Sequence, residues 1–75
     1  MPRKIREIRA DLRRQGFSIL RQEGSHQTWW HPDAPDLRLT VSGNDGDDAK
    51  PYQERQLREK LTALRARRRQ EGPSR

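Results

Sequence analysis

Large hydrophobic residues are sparse in this chain but regularly spaced, and the spacing changes along its length. Over residues 3–15, Ile5, Ile8 and Leu12 recur at i, i+3 and i+7 among charged side chains, which predicts an amphipathic helix. Pro2 suits its first turn and Gly16 the C′ position that ends it, while Arg13 and Arg14 favour the negative end of the helix dipole. A strand follows from Phe17 to Arg21, with Phe17 and Ile19 on one face, and Glu23-Gly24 predicts a tight turn. His26 to His31 reads as a second strand, rich in the β-favouring Thr28, Trp29 and Trp30. Pro32 to Asp36 has the chemistry of a loop, after which Leu37, Leu39 and Val41 alternate with Arg38 and Thr40 in a third, half-buried strand. Links this short imply an antiparallel meander.

Ser42-Gly43-Asn44-Asp45-Gly46-Asp47-Asp48 reads as loop. From Ala49 or Pro51 the helical period returns, with Leu57, Leu61 and Leu64 at i, i+4 and i+7. Asp48 is the expected cap and Pro51 is tolerated in the first turn. The helix is expected to fray after Arg69. The expectation is therefore an α+β domain of order α-β-β-β-α spanning residues 1–70, with residues 71–75 a disordered tail. A three-stranded sheet with one apolar face needs cover, and the two amphipathic helices are the available material, so both should pack on that face. The opposite face is left to solvent or a ligand.

Alternation along the second strand puts Gln27, Trp29 and His31 on one face and His26, Thr28 and Trp30 on the other. Two consecutive tryptophans cannot both enter one core. The two histidines should likewise point to opposite sides, which argues against a two-histidine nuclease or a metal pair. His31 reads as a ring packed at a strand end before Pro32.

Composition narrows the function classes. The 75 residues are 37% charged and 28% hydrophobic, with a mean hydropathy of −1.39, so the core is small and folding rests on the ordered placement of few apolar residues. Cysteine is absent, which removes disulfides and thiolate metal sites from consideration. The basic start Met1-Pro2-Arg3-Lys4 is followed by no apolar run, so no signal peptide or membrane span is expected, and a cytoplasmic protein is. Residues 1–15 carry a net +4 and residues 51–75 a net +5, around a middle segment of −3, giving the whole +6. Cationic segments able to lie side by side are the footprint of a polyphosphate ligand, though solvated helix faces have the same composition. The Asn44–Asp48 run lacks the spacing and terminal Glu of a calcium loop. No phosphate-binding glycine loop, nucleophile elbow or zinc pattern is present, and no cofactor or metal is expected. A solitary imidazole, His26, beside Gly24 and Ser25 in so basic a chain suggests acid–base chemistry on a phosphodiester. Trp30 suits base stacking or, equally, a partner-protein contact.

The residues Gly16-Phe17 and Arg21-Gln22-x-Gly24-Ser25-His26-x-x-Trp29-x-His31-Pro32-Asp33 resemble the HicA family of toxin–antitoxin toxins, over Ile5 to about Val41 and more weakly beyond. The resemblance implies an α-β-β-β-α fold related to the double-stranded RNA-binding domain, with two helices on one face of a three-stranded antiparallel sheet. It requires an apolar residue at position 29, so Trp29 is assigned to the core and Trp30 to the open face. It also implies an endoribonuclease acting on mRNA, neutralised by a HicB antitoxin, with His26 as the active histidine. Gln27 stands where many members have a second histidine or a basic residue, and Glu23 where a basic residue is frequent. The Asp33–Asp36 loop looks longer than the family's turn, and the segment before the last helix is more acidic.

The sequence thus suggests a metal-independent endoribonuclease of a type II toxin–antitoxin system. His26 acts as general acid or base, Gly24, Ser25 and Arg21 contact the substrate, and Trp30 and Arg38 touch RNA or antitoxin. Two alternatives carry the same fold and charge: a non-catalytic RNA-binding module, and an inactive HicA-like protein that serves as a binding partner.

Overall fold

The computed structural model describes residues 3–71. Its elements are α1 (Ile5–Arg14), β1 (Ser18–Glu23), β2 (His26–His31), β3 (Ala34–Ser42) and α2 (Pro51–Glu71), so the expected α-β-β-β-α order is what the chain adopts. The three strands form one antiparallel sheet in the order β1-β2-β3. Helix α2 runs on to Glu71 rather than ending near Arg69, and residues 72–75 of the expected tail lie outside the described residues.

Both helices cover the same face. Ile5, Ile8 and Leu12 of α1 and Leu57 and Leu64 of α2 are buried with Trp29, Leu39 and Val41 of the sheet. The helices lie side by side and run in the same direction. Arg3, just before α1, pairs with Glu54 in the first turn of α2, and Arg68 near the end of α2 reaches the Gln15 carbonyl at the end of α1.

Local chemistry explains how each helix starts and stops. At the start of α1 the Glu7 carboxylate accepts the Lys4 N–H (2.8 Å), and at the start of α2 the Gln53 side chain accepts the Lys50 N–H (2.7 Å). In both, a side chain in the first turn reaches back to the backbone ahead of the helix. Asp48, the expected cap of α2, instead pairs with Lys4, because the segment before α2 runs antiparallel to the one before α1. Helix α1 closes in a Schellman motif, with Phe17 N–H donating to Leu12 O (2.9 Å) and Gly16 N–H to Arg13 O (3.0 Å). Gly16 sits at φ +96°, and a Cβ there would lie 2.8 Å from His31 Nε2, so both backbone and space demand glycine.

The sheet departs from expectation at three points. The first turn is Gly24-Ser25 rather than Glu23-Gly24, which leaves Glu23 in β1. The second is only Pro32-Asp33, with β3 beginning at Ala34, so the apparent loop to Asp36 is mostly strand interrupted by an irregularity between the Trp30–Arg38 and His31–Ala34 pairs. An edge strand with a bulge tolerates Pro35 there. Finally, β1 is an exposed edge: Phe17 is buried, but Ile19 and Leu20 are 38% and 51% exposed, because the helices sit over β2 and β3.

Candidate functional site

The open face of the sheet can be read row by row from the strand register. Glu23, His26 and Ser42 form the row nearest the β1–β2 turn, Arg21, Thr28 and Thr40 the next, and Ser18, Trp30 and Arg38 the one after. Arg21 and Glu23 belong to this face because of a bulge. The register passes from Ile19–Trp29 to Arg21–Thr28, so Leu20 is an extra residue that reverses the alternation of everything after it in β1. Without it, Arg21 would share the face of Ile19.

His26 is exposed, as expected from placing Trp29 in the core, and its ring has no hydrogen-bond partner among the described residues. It opens β2 directly after a two-residue turn in which Gly24 adopts φ +59° and Ser25 a negative φ, the pattern of a type II′ hairpin. A Cβ on Gly24 would meet nothing, so this glycine is required by its backbone angle rather than by crowding within the fold. The Ser25 carbonyl accepts the Gly43 N–H (3.3 Å), which ties the hairpin tip to the loop before α2. Ser25 Oγ makes no hydrogen bond to His26 or to any other described residue.

The sequence-predicted residues therefore fall into two groups. Gly24, Ser25, His26 and Arg21 gather at the hairpin tip, with Arg21 diagonal to His26 across the β1–β2 pair, a separation of roughly 7–8 Å between such positions. Trp30 and Arg38 are cross-strand partners on the same face, about 13 Å from His26 along β2 at the usual strand rise. Trp30 is half-buried and Arg38 exposed. The tip thus combines an uncovered imidazole, a guanidinium and a glycine with open space around it. The far end of the face offers an indole beside a second guanidinium.

One neighbour was missed by sequence reasoning. Glu23 is the direct cross-strand partner of His26, which puts a carboxylate beside the imidazole. The signal was present in the chain: with Gly24-Ser25 as a two-residue turn, positions 23 and 26 must face each other. That carboxylate repels an incoming phosphate.

His31 is structural. It is 3% exposed, and its ring meets Phe17 edge-on at 5.1 Å. Asp33 N–H donates to Nδ1 (3.0 Å), so Nδ1 is an acceptor, and Nε2 lies 2.9 Å from the Gln15 carbonyl, to which it can only donate. Arg68 Nη2 lies 3.0 Å from the same Nε2, so the ring is held from three sides. The histidines serve opposite faces, and no cluster of three or more histidine or acidic side chains suited to a metal ion occurs among the described residues.

The acidic loop is consumed by the fold. Asp47 and Asp45 carbonyls accept the Ile5 and Arg6 N–H groups at the start of α1 (2.8 and 3.2 Å). The Asp45 carboxylate pairs with Arg9, a buried cation whose other guanidinium nitrogen donates to Gly43 O (2.8 Å). This loop buttresses α1 and leaves the hairpin tip uncovered.

Comparison with known proteins completes the picture. No curated protein and no solved structure matches the chain. The family described as the HicA toxin of bacterial toxin–antitoxin matches over residues 5–63, further along the chain than the Val41 at which the resemblance in motifs weakened. No helix among the described residues is long and apolar enough to cross a membrane. With most of its length matched, from the first residue of α1 well into α2, the chain belongs to the HicA family, ribonuclease-type toxins of bacterial toxin–antitoxin systems, and that membership implies a cognate antitoxin.

Proposed function

We propose that this HicA toxin is a metal-independent endoribonuclease that cleaves mRNA with His26 as its single catalytic histidine. The observation that carries the reading is the exposure of that ring on the open sheet face, diagonal to Arg21 and beside the glycine turn. An imidazole exchanges protons near neutrality, with an ordinary pKa of about 6.5. The neutral His26 ring takes the proton of a ribose 2′-hydroxyl as that oxygen attacks the adjacent phosphorus. The bond to the 5′-oxygen breaks, and that oxygen receives a proton from the imidazolium or from water. The products are a 2′,3′-cyclic phosphate and a 5′-hydroxyl end.

Arg21 neutralises charge on the phosphate, and Ser25 donates to a non-bridging oxygen. Gly24, with open space around it, lets the backbone of the strand approach. Trp30 stacks on a base further along the RNA and Arg38 holds the adjoining phosphate, stacking being worth about 1–3 kcal/mol per base. The neutralising partner is a HicB-like antitoxin that covers the open face. A single acid–base group supplies about 10²–10⁴-fold, so the enzyme is slow.

Incubation of RNA with the purified protein in EDTA tests this reading. Cleavage by the wild type and none by His26→Ala supports it, with cyclic-phosphate ends on the fragments. Binding without fragments from either protein would make this an RNA-binding module. Equal cleavage by both would remove His26 from the chemistry.

A further inference from the structure

Some of the described cations are tied within the fold and others, among them Arg6, Arg21, Arg38 and Lys50, make no ion pair. Arg3, Lys4, Arg9, Arg14 and Arg68 are held by Asp11, Glu54, Asp48, Asp45 and Asp33 within the fold. Arg55, Arg58, Arg65 and Arg69 of α2 are exposed and make no ion pair or hydrogen bond with any described side chain. These four are not scattered. With Thr62 between them they recur in steps of three and four residues, one continuous stripe along the helix. The stripe spans about 21 Å at the helical rise. Gln53, Leu57 and Leu64 mark the buried side of the same helix, and the stripe lies well away from it on the wheel. Because the helices cover one face of the sheet and His26 stands on the other, the stripe and the hairpin tip occupy opposite sides of the molecule.

The geometry points to a second nucleic-acid surface: the Arg55–Arg58–Arg65–Arg69 stripe of α2 binds the phosphate backbone of RNA, independently of the strand being cut at His26. The inference rests on RNA being the ligand. Three features favour a polyphosphate over a protein partner. Between Arg55 and Arg69 the stripe carries no aromatic or large apolar side chain to act as an interface anchor, and the exposed Tyr52 stands only at its N-terminal end. The stripe's four cations make no direct ion pair, although Glu54 feels the charge of Arg58, so binding releases counterions and breaks no salt bridge. Guanidinium groups also suit bidentate phosphate contacts. Arg65 and Arg69 lie beyond the residues matched by the HicA family.

The test uses the full chain with His26→Ala, so that no cleavage intervenes, and a mixed-sequence single-stranded RNA of about 20 nucleotides. Affinity is measured at about 50 and 200 mM salt with and without the fourfold change Arg55→Gln, Arg58→Gln, Arg65→Gln and Arg69→Gln. Glutamine keeps helix propensity, and circular dichroism checks folding. Four phosphate contacts removed from a single strand reduce the salt slope by about 3, so the weakening between the two salt concentrations shrinks by about fifty-fold. The milder pair Arg58→Gln and Arg65→Gln halves the slope change and keeps the test valid should the fourfold variant fold poorly. An unchanged slope in folded variants, or loss of antitoxin binding with RNA binding intact, overturns the stripe while leaving RNA as the ligand. No RNA binding by the parent chain overturns the stripe together with the ribonuclease reading.

Discussion

Two histidines five positions apart do different work, and single substitutions separate them. His31 fills core space and satisfies Asp33 N–H, so His31→Ala leaves a cavity and an unpartnered backbone N–H, while Gln15 O keeps only its long contact with Arg68. The expected cost is about 2–4 kcal/mol in urea unfolding, with cleavage per folded molecule unchanged. Loss of cleavage at full stability would give His31 a role in the chemistry. Glu23 offers a second single-residue test, because its carboxylate faces His26 across the hairpin. Two unit charges about 7 Å apart in water interact by about 0.6 kcal/mol, so Glu23→Gln should tighten RNA binding by about threefold at low salt. Weaker binding would mean that Glu23 holds the site together instead. At this scale alternation placed His26 and His31 on opposite faces, while the choice of Trp29 for the core came from the family resemblance. It was silent about the bulge at Leu20, since nothing in Ser18-Ile19-Leu20-Arg21 distinguishes an interrupted register from a regular one.

The elements are joined by carboxylates whose protonation is suppressed in the folded state. Hydrogen bonds from Arg3 hold Glu54 below the ordinary carboxylate range. For Asp11 burial acts upward, but hydrogen bonds from Arg3 and Arg14 outweigh it and lower that carboxyl too. Hydrogen bonds from Arg67 take Asp36 to about 2, at an exposed site that adds little stability. Groups lowered on folding stabilise the fold above their unfolded pKa, about 4, and lose that contribution as pH falls through their folded values. The urea midpoint should therefore stay level from pH 7 to about 5 and decline below about 4.5, continuing toward pH 2. Arg3→Gln should cost about 1 kcal/mol at pH 7, given the partial exposure of the pair, and make the acid decline shallower. Identical acid limbs in the two proteins would contradict this account of how α1 and α2 are tied. Helix positions were legible from Ile5, Ile8 and Leu12 and from Leu57, Leu61 and Leu64, because burial of few apolar residues sets the period. The cap of α2 was not, because Asp48 is drawn to Lys4 by a contact between segments 44 positions apart.

For the whole molecule, the two-layer architecture separates a helix side from an open sheet side, and the candidate chemistry occupies the latter. The α-β-β-β-α order was readable because a sheet with one apolar face has only the two helices to cover it. The exposure of β1 was not, because which two strands the helices straddle depends on packing geometry rather than on pattern. Net charge showed that a polyanion was a plausible ligand but not which cations were free, a distinction set by long-range pairs such as Arg9–Asp45 and Arg67–Asp36. As a toxin with a cognate antitoxin, the protein should arrest growth when induced alone and permit growth when the antitoxin is co-expressed. His26→Ala should permit growth in both cases and still bind the antitoxin. Arrest by that variant would detach toxicity from the imidazole.

The most direct measurement pairs cleavage rate with RNA affinity on the same two proteins, wild type and His26→Ala, under single-turnover conditions. The predicted result is a rate reduced by about 10²–10⁴-fold with affinity essentially unchanged, as befits a group that moves a proton and carries little of the binding. A variant that binds less tightly but cuts bound RNA at the wild-type rate would contradict it.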